Sequence, residues 1–220
     1  SAGVCTDTRK IVKDSLFFAL KGASFNGNDF ALQALEQGAK YAVVDNPALL
    51  ERAGSSNALI LVDDVLSTLQ ALARYHRLRF HIPVLALTGT NGKTTTEELI
   101  AAVLRKKYNV LATEGNLNNH IGVPLTLLKL DKSVQAAVIE MGASSPGEIK
   151  RLVEIVCPTF GLITSIGKAH LMGFGSLEGV MQTKGELLDD LLAHRRIAFI
   201  NVDNPYIAQM LAKRQELHYV

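Results

Sequence analysis

The sequence predicts an α/β protein of two domains, the second a mainly parallel β-sheet with helices on both faces. Three observations carry that expectation. Strand-like and helix-like runs alternate along the chain. The strands after residue 83 are apolar at successive positions, as strands covered on both sides are. A turn built around Gly89, Gly92 and Lys93 joins the first of those strands to a helix. At 220 residues, 48% of them apolar, the chain can bury a sizeable core and is long enough for one large domain or two small ones.

The first 80 residues hold short elements: a strand at "LFFAL" (16–20), a helix over 29–36, strands at "YAVVD" (41–45) and "ALILVD" (58–63), and a helix over 65–79. Pro83 disfavours helical geometry at His81 and Ile82, so that helix ends there and a second domain begins at 81. The alternation then becomes regular. Strands are expected at "VLALT" (84–88), "NVLAT" (109–113), "AAVIEMG" (136–142), "FGLITSI" (160–166) and "RIAFIN" (196–201), with helices over 94–107, 122–130, 147–155, 176–192 and 205–217. Ligands on such sheets gather at the carboxyl ends of the strands, so residues that follow strands are the candidates for chemistry.

Composition excludes several classes of function. The formal net charge is +2, too small an excess to imply a polyanionic partner. The basic clusters Arg105-Lys106-Lys107 and Arg195-Arg196 sit beside expected helix ends, where cations meet the helix dipole favourably, so no nucleic acid is expected. Cys5 and Cys157 are the only cysteines and form no CxxC pair, which argues against a disulfide scaffold or a zinc site and fits a reducing cytoplasm. No apolar run approaches the ~20 residues of a membrane helix, and no membrane insertion is expected. The chain opens abruptly at "SAGVCTDTRK" and stops at "LHYV", so it reads as a trimmed piece of a longer protein.

Thr88-Gly89-Thr90-Asn91-Gly92-Lys93-Thr94-Thr95 follows a buried strand and opens a helix, so main-chain N–H groups and the positive helix end should converge on one anion. Lys93 adds a point charge, and the Thr94 hydroxyl is placed to ligate a magnesium ion between two phosphates. The run departs from GxxxxGK[ST], because Leu87 stands where that pattern has its first glycine. A tight turn with a surface lysine is the plain alternative, and the flanking strand and helix weigh against it. Glu140 ends an apolar strand, so its carboxylate should enter the same crevice and face a divalent ion; otherwise it is an exposed strand-end acid. Asn116, Asn118 and Asn119 offer neutral donors and acceptors suited to a phosphate or carboxylate, or they cap the helix that follows. His120 is a weaker candidate beside them.

"TGTNGKTTT" resembles the variant phosphate loop of the Mur ligases, ATP-dependent enzymes that build the peptide of bacterial cell-wall precursors; folylpolyglutamate synthetase carries a similar loop. "EGNLNNHIGVPLTLL" (114–128), "IEMGASSPGEI" (139–149), "AHLMGFGSLEGV" (169–180) and "TKGEL" (183–187) follow in the order and approximate spacing of the family's MurF branch, which adds D-alanyl-D-alanine to UDP-N-acetylmuramoyl-tripeptide. Upstream, "TDTRK" (6–10), "LFFALKG" (16–22) and "FNGNDF" (25–30) resemble that branch's UDP-substrate domain. The resemblance covers nearly all of the chain.

The resemblance implies residues 1–80 as the domain binding UDP-MurNAc-peptide and 81–220 as a truncated central ATP-binding domain, without the C-terminal domain that closes over ATP. The "HNxxNxLAA"-like stretch expected near the end of the central domain is missing, and the piece alone is expected to be inert or nearly so. Gly89, Thr90, Asn91, Gly92, Lys93, Thr94 and Thr95 would bind ATP phosphates. His170 would be a ligand of a second magnesium ion, where a lone loop histidine is otherwise polar surface. Lys184 would react with carbon dioxide to give a carbamate that binds metal, where a lysine on an amphipathic helix is otherwise solvated. Thr8, Arg9, Lys10, Asn26, Gly27 and Asn28 would contact uracil and diphosphate, or form simple loops. The implied cofactors are ATP and Mg2+, the partners UDP-MurNAc-tripeptide and D-alanyl-D-alanine, and the expected state a cytoplasmic monomer. The competing readings are another Mur ligase, folylpolyglutamate synthetase, or a non-catalytic nucleotide- or precursor-binding module.

Overall fold

The computed structural model describes residues 3–53, 57–167 and 171–220. The chain forms two compact units, Ser1–Leu72 and Ala73–Val220. Among the described residues no helix is long and apolar enough to cross a membrane.

The first unit is a four-stranded, all-parallel sheet in the order β1 (Val4–Cys5), β2 (Leu16–Phe18), β3 (Tyr41–Val44), β4 (Leu59–Leu61). Helices α1 (Ala31–Glu36), α2 (Ala48–Ala53) and the first half of α3 (Val65–Leu78) connect or follow these strands. Phe17, Ala34, Ala42, Val44 and Leu49 form its core. The helix expected over 29–36 starts at Ala31, after a 3₁₀ turn over Gly27–Phe30. That turn is fixed because Asn26 Oδ1 accepts from the Asn28 amide and the Asn28 side chain turns inward.

The second unit is the predicted parallel sheet. Its strands run β5 (Val84–Thr88), β6 (Val110–Ala112), β7 (Ala136–Glu140), β8 (Phe160–Ile163), β9 (Ile197–Ile200) and β10 (His218–Tyr219) along the chain, and lie side by side as β10-β9-β8-β5-β7-β6. All the pairings are parallel. Successive strand residues point to opposite faces. Val84 and Ala86 thus join one core with residues of α5 (Gly122–Leu127), α6 (Glu148–Val156), α8 (Leu177–Ala193) and α9 (Pro205–Ala212), while Leu85 and Leu87 join another with α4 (Lys93–Leu104). A four-residue helix, α7 (Leu171–Phe174), precedes α8. On the α4 face the Phe160 and Phe199 rings lie 6.0 Å apart and remain partly exposed.

Gly161 lets α8 approach β8 closely: a Cβ there would come within 2.4 Å of Leu191 Cδ1 and 3.2 Å of Leu187. The expected 205–217 helix stops at Ala212, and the chain turns to add β10 at the sheet edge, where Val220 donates its amide to the Ala198 carbonyl at 2.9 Å. Arg214 holds that turn, donating to Asp189 at 2.7 Å and to the Met210 carbonyl at 2.9 Å. Short segments such as β1, α2 and β10 carry too few residues for a period to be visible in sequence.

The end of α6 is secured from outside the helix. Its last carbonyls lack intrahelical donors, and Cys157 leaves it in a left-handed conformation at φ 45°. Arg77, 5% exposed, donates to the Val156 and Cys157 carbonyls at 3.0 and 3.1 Å and to Phe80 at 2.7 Å, while Arg74 donates to Glu154 at 3.0 Å. Arg77→Met leaves three carbonyls without their donor and is expected to lower the unfolding free energy by on the order of 3 kcal/mol in urea denaturation of the 220-residue chain. Arg77→Lys, with no planar fork, should recover less than half of that loss. A loss below about 1 kcal/mol for Arg77→Met would show that those carbonyls find other donors.

Candidate active site

The site is placed by strand order. The chain leaves β5 through α4 for β6 at the sheet edge, returns to β7 beside β5, and then crosses to β8 on β5's other side. The carboxyl ends of β7, β5 and β8 are therefore adjacent, at the position where open α/β sheets hold ligands. Leu87 is paired with Glu140 and Thr88 with Ile163, so the loop after β5 has Glu140 on one side and residues 164–167 on the other.

Within that loop Gly89 has φ 153° and Gly92, the residue before α4, has φ 77°. A side chain at Gly89 would collide with Thr164 Oγ1, 2.1 Å from an added Cβ, so the loop can lie against its neighbour only with glycine there. The amides of the run do not all face one anion. Thr90 donates its N–H to the Ser165 carbonyl at 2.8 Å and Asn91 donates its N–H to Ser165 Oγ at 3.1 Å. The remaining donors include the Gly92 amide and the first-turn amides of α4, which by helix geometry have no carbonyl four residues back. Lys93 Nζ donates to the Gly89 carbonyl at 3.1 Å, lying back along the loop it follows.

Thr94 Oγ1 donates to Glu140 Oε2 at 2.8 Å, and Asn118 Nδ2 donates to Glu140 Oε1 at 2.7 Å. Glu140 is 1% exposed, which removes the exposed strand-end alternative. Asn118 is fixed in turn, since its carbonyl accepts from Gly142 at 2.7 Å. Asn119 Oδ1 accepts from the amides of Ile121 and Gly122 at 3.0 and 2.9 Å, the helix-capping alternative for that residue. Asn116 and His120 are exposed.

Lys184 lies on α8 and is 3% exposed, with Nζ 5.6 Å from the centre of the Phe174 ring. Burial, and then the charge of Lys93, push its ammonium down to about 8, while Glu148, Glu186 and Glu140 act in the opposite direction. Helical periodicity alone reads this lysine as solvated, but α8 packs against α6, α7, α9, β8 and β9, which leaves it little free surface. His170 lies outside the described residues. Among the described residues no three His, Cys, Asp or Glu side chains form a metal-holding group. The oxygens of Thr94 and Glu140 still suit a hard cation such as Mg2+, which takes few protein ligands and completes its shell with phosphate and water.

Three acidic residues have roles that their sequence positions alone did not reveal. Glu186 accepts from the Gly147 and Lys150 amides at 2.9 and 2.7 Å and so holds the start of α6. Glu148 accepts from the Ser144 and Ser145 amides at 2.6 and 3.1 Å, folding the loop after β7. Glu97 is 2% exposed and its Oε1 has no partner among the described residues. It stands three residues after Thr94 and four before buried Ala101, a helical spacing that could have marked it as inward-facing.

The candidates of the first unit do not form one open cluster. Asp7 Oδ1 accepts from the Arg9 amide, and both carboxylate oxygens hold the Arg9 guanidinium at 2.9 and 2.8 Å, which lowers Asp7 to about 2. Thr8 is half-buried in this 3₁₀ turn and Lys10 is exposed. Asn28 is 1% exposed; it donates to Asp45 at 2.7 Å and to Asn26 at 2.9 Å, and accepts from the Asp45 amide at 3.1 Å. Lys21 adds an ion pair to Asp45 at 3.0 Å. The side-chain polar atoms of Asn28 are thus engaged inside the unit, while Gly27 lies buried in the same turn.

Comparison with known proteins matches this arrangement to one family. The Mur ligase middle domain matches residues 87–220, and the Mur ligase catalytic domain matches residues 2–77. The chain belongs to the Mur ligase family. A UDP-N-acetylmuramoyl-tripeptide–D-alanyl-D-alanine ligase of Synechocystis sp. is 44% identical over 209 residues, covering 94% of this chain and 45% of that protein. The crystal structure of MurF from Acinetobacter baumannii matches at a TM-score of 0.89 with 34% identity, covering 98% of this chain and 47% of its own. MurF ligase from Thermotoga maritima in complex with ADP matches at 0.86 with 31% identity, covering 99% and 49%. The chain thus spans a little under half the length of these Mur ligases.

Glu97 gives the stability of this fold a pH dependence. Burial first, and then the Glu140 charge, raise its carboxyl from 4.5 to about 7, against a weaker main-chain hydrogen bond from Thr113. A raised acid binds more protons folded than unfolded, so the stability penalty is absent below about 4.5, grows with pH and is complete above about 7. Glu97→Gln is therefore expected to stabilise the chain by roughly 1–3 kcal/mol at pH 8 and to change little at pH 5, measured by chemical denaturation at both. Equal effects at the two pH values would contradict it.

Proposed function

We propose that the chain is the precursor-binding and nucleotide-binding part of a cytoplasmic ATP-dependent amide ligase. In this reading the full-length enzyme joins D-alanyl-D-alanine to UDP-MurNAc-tripeptide, the MurF step of peptidoglycan precursor synthesis. The observation that carries it is the convergence of the Lys93 loop, the Thr94–Glu140 pair and buried Lys184 at the carboxyl ends of the central strands. The names of the relatives support the choice of substrates.

The chemistry has two steps. The terminal carboxylate of the tripeptide attacks the γ-phosphorus of ATP, releasing ADP and leaving an acyl phosphate. The amine of D-alanyl-D-alanine then attacks the acyl carbon and phosphate departs, so ATP supplies the driving force and no side-chain nucleophile is required. Phosphoryl transfer depends on placing charge, and this chain's part is to bind and orient. The first-turn amides of α4 and the Lys93 ammonium bind the phosphates, with Lys93 leaving the Gly89 carbonyl to do so. Thr94 and Glu140 would hold one Mg2+ ion and His170 would be a ligand of a second, and these ions when bound would screen the repulsion between carboxylate and triphosphate. Lys184, with its ammonium pushed down to about 8, has a larger share of neutral amine near neutral pH than an ordinary lysine. That neutral amine can attack carbon dioxide and lose a proton to give a carbamate. Because the chain spans under half of its relatives, turnover is assigned to the full-length enzyme and the 220 residues alone are inferred to be inert or nearly so.

Lys93→Ala in the full-length enzyme is expected to reduce ATP-dependent phosphate release by at least a hundredfold while leaving the melting profile intact. Turnover near the wild-type rate would refute the role of Lys93. For Lys184, activity should fall when bicarbonate is depleted, and a Lys184→Ala variant should regain part of its lost activity on addition of a short carboxylate. Indifference to both treatments would exclude the carbamate.

A further inference from the structure

The contact between the phosphate loop and residues 164–167 is more extensive than strand pairing requires. Beyond the Thr90 and Asn91 amides already described, Thr164 Oγ1 donates to the Asn91 carbonyl at 2.7 Å, and Ser165 Oγ lies 3.1 Å from that same oxygen. Thr90 Oγ1 accepts from the Gly167 amide at 3.1 Å. Hydroxyls from a segment more than 70 residues away therefore converge on a single peptide of the loop.

A trans peptide is planar, and its C=O and N–H point in opposite directions. Fixing the Asn91 carbonyl toward Thr164 and Ser165 consequently fixes the Gly92 N–H away from them, and it withdraws from the loop's open side an oxygen that would repel phosphate. A glycine-containing loop left alone would instead sample many conformations, and ordering it would weaken ligand binding. We propose that Thr164 and Ser165 are positioning residues for the nucleotide phosphates: they hold the Asn91–Gly92 peptide in its anion-accepting orientation before the nucleotide arrives. The inference rests on the nucleotide-binding reading given above.

The test compares the full-length wild-type enzyme with its double variant Thr164→Val/Ser165→Ala and its conservative variant Thr164→Ser. Magnesium-ADP is titrated calorimetrically, and amide hydrogen exchange at Asn91 and Gly92 is followed without nucleotide. Thr164→Val alone serves if the double variant does not fold. The expected result is a roughly tenfold weaker affinity for magnesium-ADP in the double variant, faster exchange at Asn91, an unchanged overall fold, and near-wild-type behaviour for Thr164→Ser. Wild-type affinity in a double variant that folds would overturn the positioning role while leaving the nucleotide reading intact. A purely structural role would speed amide exchange at Asn91 without changing affinity, and is excluded or established by the same pair of measurements. Failure of the full-length wild-type enzyme to bind magnesium-ADP would overturn the nucleotide reading, and the purpose assigned to these hydroxyls with it.

Discussion

The parallel pairing of β5 with β7 on one side and β8 on the other is the constraint on which the site depends. It brings three loops to one rim and sets their heights relative to each other. Leu87 pairs with Glu140 and Thr88 with Ile163, so Glu140 and Thr164 flank the start of the same loop. The ladder continues past the strands, because Thr88 Oγ1 donates to the Met141 carbonyl at 2.8 Å and Thr164 donates its amide to Thr88 at 3.0 Å. A slip of one residue in β7 would turn Glu140 to the opposite face and separate it from Thr94. The apolar side chains buried on both faces oppose such a slip.

Charge at this rim is arranged under partial burial. Glu97 and Lys184 are both nearly buried, and both are shifted toward their neutral forms, the acid upward and the base downward. Buried groups with shifted ionisation mark candidate functional sites, and each of these two is coupled to the charge of Glu140. Glu148 and Glu186 hold amides around the start of α6, so the acidic residues nearest Lys184 also shape the wall that confines it. Structure and electrostatics are therefore not separable here.

Much of this was legible in sequence because it depends on local order. β5 agrees with its expected limits, since "VLALT" is bounded by Pro83 and a glycine turn. Glu140 was readable as a strand-end residue, and its pairing with Thr94 follows from strand order. What sequence could not supply was the identity of groups meeting across the fold. The Thr90 and Asn91 amides read as phosphate donors until Ser165 is seen to accept both. Asn28 read as a uracil or diphosphate contact, or as part of a simple loop, until Asp45 is seen opposite it. Lys184 was singled out by resemblance alone, because helical periodicity does not say how many neighbours a helix has. The 205–217 helix ran too long because a two-residue edge strand leaves no pattern, and its partner lies some twenty residues back.

Gly161 carries a consequence for the position of Lys184. Because β8 presents a bare α-carbon to Leu187 and Leu191, those two side chains lie closer to the strand than a larger residue at 161 would allow without their moving. Lys184 stands one turn before Leu187 on that helix, so the missing methyl lies beneath the same stretch of α8 that carries the buried amine. Close packing beneath a buried amine thus depends on an absence on the strand below it, at a position with no polar atom of its own beyond the backbone.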